Sequence, residues 1–186
     1  MLTMCCDKIH IVYDDFNQHD IQPYKRYRVT YYALAITDGI KIGDDTYQNR
    51  DHYYSIFKTV EEWQQTMVAP GADPANDGEW VSDCDECYVE QKIRDHVVDM
   101  EFIPFNQDGR IITPAPRPDN DSAVDLYNIR SVDIRLTFRS HKDYFNKADP
   151  DRLVIGLNRS QVFPDDKYLR DSVVVTVHTR NIGSGI

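Results

Sequence analysis

The stretch Ser131–Ser140 alternates without a break. Val132, Ile134, Leu136 and Phe138 fall on one parity, and Asp133, Arg135, Thr137 and Arg139 on the other. A period of two over ten residues specifies a strand in a sheet with one apolar, buried face and one wet face. Asp171–Thr179 repeats the pattern, with Val173, Val175 and Val177 as its expected buried set. Two such strands, in a chain with 12 Tyr among its 186 residues, commit most of the molecule to antiparallel sheet.

The remaining segments extend that sheet. Ile9–Tyr13 and Tyr24–Thr37 read as strands joined by the polar turn that carries Asp14, Asp15, Asn17 and Asp20, which makes a hairpin. Gly39–Gly43 and Tyr53–Lys58 are further short strands. Thr59-Val60-Glu61-Glu62 has capping-box spacing and predicts a short helix through Met67, with Val60, Trp63 and Met67 inward. Val89, Ile93 and Val97 recur at i, i+4 and i+8, which predicts a second helix over Tyr88–Val97. Val98, Met100 and Phe102 then alternate with Asp99 and Glu101, a strand whose two carboxylates are expected in solvent. Proline and glycine put loops at Val68–Cys87 and Thr113–Asp121, and a long polar connection runs over Lys142–Asp166. The expected fold is α+β, mainly β: one domain over residues 1–186, with antiparallel curved sheet, one or two short helices, and loop insertions at 69–87 and 142–166.

Charge narrows the functional classes. There are 21 Lys and Arg against 31 Asp and Glu, a formal charge of -10. Nucleic-acid binding needs a basic surface, and so does docking on anionic lipid. No run approaches the ~20 apolar residues of a membrane-spanning helix. No G-x-S-x-G, G-x-G-x-x-G or Walker pattern occurs, and His10, His19, His52, His96, His141 and His178 are scattered. An acidic hydrolase built on Asp99 and Glu101 is the enzymatic alternative. No catalytic residue or cofactor is expected.

The cysteines form two close pairs, Cys5-Cys6 and Cys84-x-x-Cys87. Disulfides, free thiols and one four-sulfur zinc site are the open states. Asp83, Asp85 and Glu86 hold the second pair in a negative field, which disfavours reactive thiolates. Disulfides are the preferred reading, with a link from the N-terminal segment to the Cys84 loop as one pairing, and they place the chain in an oxidising compartment. Asp14, Asp15, Asn17 and Asp20 supply hard oxygens at short spacing, a weak calcium candidate without the central Gly and terminal Glu of an EF-hand loop. Ordinary turn chemistry accounts for the same residues.

The ordered segments of the second half resemble a known family. Val97-Val98-Asp99-Met100-Glu101-Phe102 is followed by Gly109, then Ile129-Arg130-Ser131-Val132-Asp133-Ile134-Arg135-Leu136-Thr137-Phe138-Arg139-Ser140, then Arg170 and Val177-His178-Thr179-Arg180-Asn181. This is similar to the globular head of type IV pilus minor pilins of the PilW kind and of J-type pseudopilins of type II secretion. The likeness extends loosely from Ile9 to Asn181. It implies a non-catalytic head, periplasmic or at the pilus tip, that helps initiate or cap filament assembly by contacting other minor pilins or pseudopilins. It also implies that the family's leader and long apolar helix have been removed, with residues 1–8 as the tail of that helix. The membrane would be reached only through that missing helix, and the isolated head would be monomeric. Trp80, Asp83 and Asp85 are the partner-contact candidates, on the loop at 68–87. The competing reading is a secreted β-domain that binds a ligand such as a glycan through exposed aromatics, Trp63 and Trp80 among them, and acidic loops.

Overall fold

The structure, a computed structural model, describes residues 5–16, 18–19, 24–36, 53–65, 78–117, 121–147, 152–155, 160–163 and 167–179. Nine strands run in chain order: β1 (Ile9–Phe16), β2 (Tyr24–Ile36), β3 (Tyr53–Gln65), β4 (Gly78–Val81), β5 (Tyr88–Phe105), β6 (Ser131–Arg139), β7 (Arg152–Ile155), β8 (Ser160–Phe163) and β9 (Arg170–His178). A 3-10 helix occupies Asp121–Asn128. Seven strands form one antiparallel sheet in the order β1-β2-β3-β5-β6-β9, with β4 also on β3; β7 and β8 pair separately.

The α+β expectation is therefore corrected to a mainly-β fold, with no α-helix among the described residues. Both predicted helices are strand. Thr59–Gln65 is the second half of β3, and Tyr88–Val97 is the first half of β5. Offsets of four and eight are even, so Val89, Ile93 and Val97 share a strand face as readily as a helix face. β-branched and aromatic residues at Thr59, Val60 and Trp63 favour the extended form, and pairing with β2 fixes it. The loop expected over 68–87 contains β4, whose Trp80 lies directly across from Trp63. The expected strand over Gly39–Gly43 lies outside the described residues. The expected β1–β2 hairpin forms, with Ile9 opposite Tyr31 and Phe16 opposite Tyr24.

The long β5 is the pivot. Its first half pairs with β3, from Tyr88 to Val97, and its second half pairs with β6, from Val97 to Phe105. Where β3 ends, Asp7 takes over the vacated edge. Its backbone N–H donates to the Met100 carbonyl at 2.8 Å, and its carboxylate accepts from the Phe102 N–H at 3.0 Å. The edge groups of β5 are satisfied where they would otherwise be orphaned.

One face of the sheet carries the apolar core. Tyr27, Val29 and Val60 form one buried cluster, with Tyr31 and Cys84 against it. Ile56, Val97 and Met100 form another, with Cys6, Leu136 and Phe138 among the side chains packed on it. The opposite face departs from expectation. Thr137 and Arg139, read as wet, are buried, whereas Leu136 is only half-buried. Asp99 and Glu101, expected in solvent, are 2% and 0% exposed. Conversely Val173, Val175 and Val177, expected in the core, are 45–51% exposed. Alternation separates two faces but does not say which one the rest of the chain covers. Here the segments around Ser140 and Leu169 are knitted together next to the polar face: the Ser140 N–H donates to Leu169 O and the Leu169 N–H to Ser140 Oγ.

Candidate functional site

Three features of the sheet bear on function: its two outer edges, its buried polar face, and the Trp pair at the β3–β4 end.

The edges come first because they are long and apolar. β9 pairs with β6 along nine residues, Arg170 opposite Arg139 through His178 opposite Ser131. Its other side has no strand beside it in the described sheet. Every residue from Asp171 to His178 is exposed, on both faces, with Val174 53% and Val175 51% accessible. At the opposite end of the sheet β1 is similar, with Ile11, Val12, Tyr13 and Phe16 exposed. Alternate N–H and C=O groups of an edge strand point outward, so each edge is a template for another strand.

The polar face is built by register. Asp99 sits opposite Thr137, and Glu101 opposite Arg135, so two carboxylates and an arginine from distant parts of the chain share one surface. Thr137 Oγ1 lies 2.8 Å from Ser172 Oγ on β9. At the far end of this face Arg139 is sandwiched between two rings, 4.5 Å from the Tyr53 centroid and 4.2 Å from that of Tyr168. Tyr53 also stacks on His96 at 4.6 Å, and His96 Nε2 lies 2.8 Å from His141 Nδ1. His96 has φ 60°, the left-handed region, beside the register shift between Val97 and Asp99. Ser55 Oγ donates to the Asp95 carboxylate, and Lys92 Nζ lies 3.3 Å from its other oxygen. The Ser55 hydrogen bond is the main reason that the Asp95 pKa falls below its ordinary value, with Lys92 assisting.

The Trp pair is an edge-to-face contact, ring centroids 5.2 Å apart. Arg28 covers the Trp80 ring at 4.7 Å and donates through Nε to Glu61 at 2.8 Å. Trp80 is thus engaged by its own sheet, not presented as an open platform. Asp83 and Asp85, the other partner-contact candidates, are exposed in the short turn before β5.

The cysteines form disulfides within each pair, Cys5–Cys6 and Cys84–Cys87, which corrects the expected link between the N-terminal segment and the Cys84 loop. The two pairs pack on different clusters, Cys6 beside Ile56 and Cys84 beside Tyr27, so the cross-link has no route. Cys5, Cys6 and Asp99 bring their ligand atoms within 4.8 Å of one another, but both sulfurs are committed to the disulfide. Of the calcium candidates, Asp14 is gripped by Arg26, with Oδ1 to Nε at 2.7 Å and Oδ2 to Nη2 at 3.2 Å. Asp15 accepts from the Phe16 N–H. Adjacent strand residues point to opposite faces, so Asp14 and Asp15 diverge. Asn17 and Asp20 lie outside the described residues.

A cleft of about 390 Å³ beside the turn at Asn106 is lined by Asp108, Asp125, Arg110 and Arg130 among others, with no His, Cys or Ser. Sequence reading missed the buried polar face and the His96–His141 pair. The usable signal was compositional: acids at 99 and 101 and arginines at 135 and 139 on matching parities of neighbouring strands. No protein-family model, no curated protein and no solved structure matches the chain.

Proposed function

We propose that this chain is a non-catalytic head of the minor-pilin or pseudopilin kind. It helps to initiate or cap a type IV pilus or type II secretion pseudopilus through contacts with other minor pilins or pseudopilins, on the periplasmic side of the inner membrane or at a pilus tip. The observation that supports the reading is β9, which among the described residues has no strand on its outer side and carries four exposed valines in a row of eight exposed residues. Such an edge gains main-chain hydrogen bonds and apolar burial when a neighbour adds a strand, and leaving it bare invites uncontrolled association. A rigid sheet with an edge at each end suits a subunit that touches two different neighbours. The paired cysteines suit an oxidising compartment.

The test replaces Val173 and Val175 by lysine in the full-length gene in its own host. Surface filaments, or secreted substrate for the secretion system, are expected to fall at least tenfold while the protein's level and its near-ultraviolet circular dichroism hold. Filament number and secretion both at the wild-type level would overturn the reading.

The glycan alternative rests on the same aromatics that the structure pairs with each other and with Arg28. Unchanged tryptophan fluorescence across a glycan panel is the result expected here.

A further inference from the structure

We propose that His96 and His141 form a two-imidazole site for a divalent transition-metal ion with tetragonal preference, Cu²⁺ ahead of Ni²⁺ and both ahead of Zn²⁺. Nothing in the assembly reading calls for this site, and it stands or falls separately.

His96 Nε2 and His141 Nδ1 are 2.8 Å apart. Metal–imidazole bonds are about 2.0–2.1 Å, so a single ion bound to both nitrogens would subtend about 85–90° at the metal. That is the angle between neighbouring ligands in square-planar or octahedral coordination, and well short of the tetrahedral angle that zinc prefers. Copper also stands highest in the general order of divalent affinity for nitrogen ligands. His141 is exposed and His96 half-buried, which leaves the other coordination places to water.

The rings are held, which lowers the cost of ordering them. His96 stacks on Tyr53 at 4.6 Å and lies edge-to-face with His141, also at 4.6 Å. Tyr53 is itself buried and carries Arg139 on its ring. His96 is the non-glycine residue with positive φ among the described residues, and the register shift after Val97 follows it directly. A left-handed histidine costs on the order of 1 kcal/mol, and such backbone outliers collect where a side chain must be aimed. The bulge turns the His96 ring toward the segment after β6, which brings in His141.

The charges around the pair are mixed. Asp95 precedes His96 and its carboxylate interacts favourably with that ring, while Arg139 and Lys142 oppose a cation. A metal binds an imidazole only through an unprotonated nitrogen, so protonation of either ring competes with the ion. Binding must therefore weaken as pH falls.

Titration calorimetry of the full chain with Cu²⁺ and with Ni²⁺, and of wild type also with Zn²⁺ for the order of affinity, tests this in non-reducing buffer at pH 7.5. The variants are H141A, at an exposed position, and H96N, because asparagine tolerates positive φ. Wild type should bind one ion at this site, and either substitution should weaken that site at least tenfold for both metals. The copper paramagnetic spectrum should show two coordinated nitrogens, falling to one in H141A. Melting curves in the absence of metal confirm that the variants are folded. Should H96N fail to fold, H141A alone decides. Equal affinity and stoichiometry in wild type and H141A would overturn the proposal, as would a wild-type order with Zn²⁺ tightest.

Discussion

At the residue scale, the buried polar face sets this sheet apart from an ordinary half-wet one. Glu101 is fully buried opposite Arg135. Glu101→Leu removes a fully buried carboxylate and leaves its polar neighbours on that face unsatisfied, so it should cost about 1–3 kcal/mol in urea unfolding. Arg26→Ala, which breaks the exposed pair with Asp14, should cost under ~1 kcal/mol. Asp95 offers a pH test. Its folded pKa lies below its ordinary value of 3.8, chiefly through Ser55. A depressed carboxylate contributes stability that is present above 3.8 and lost as pH falls through the lower folded value. Ser55→Ala should raise the Asp95 pKa in a nuclear magnetic resonance titration and shrink that acid loss, because the gap between folded and unfolded values narrows. An unchanged Asp95 titration would count against the hydrogen bond. None of this face was legible residue by residue. Asp99 and Glu101 look solvated until Thr137 and Arg135 arrive across the ladder from more than thirty residues away.

At the element scale, alternation carried most of the information and failed where two periods coincide. β1, β2, β6 and β9 are where their patterns place them, since turn residues and parity agree. β5 reads as helix in its first half because its apolar spacing fits both periods, and its pairing with β3 decides the matter. Gly78 is a second element-level determinant. A Cβ there would stand 2.6 Å from the Gln64 carbonyl oxygen and 2.6 Å from the Trp63 ring. Gly78→Ala should therefore pry β4 from β3 and cost about 1–3 kcal/mol. The coupled tryptophan signal of the Trp63–Trp80 pair in circular dichroism should weaken with it. A full-strength signal with unchanged stability would show that the backbone accommodates the methyl group. On the opposite face, Met100→Ala should cost about 2–5 kcal/mol, because Met100 is almost wholly buried between Ile56 and Val97.

At the scale of the whole molecule, the sheet has a covered middle, and among the described residues its end strands β1 and β9 have no strand on their outer sides. Parity predicted which valines of β9 share a face. It could not predict that β9 is the last strand of the sheet, because strand order depends on pairings spread over the chain. The difference matters for function: a core strand carries stability, whereas an edge strand carries contacts. Amide hydrogen exchange over Asp171–His178 is the most direct test of the proposed assembly role, comparing the isolated chain with the same chain mixed with minor pilins or pseudopilins of its host. Fast exchange at alternate, outward-facing amides of β9 is expected in the isolated chain, and strong protection of those amides in the assembly. Outward amides that exchange equally fast in both states would contradict that role.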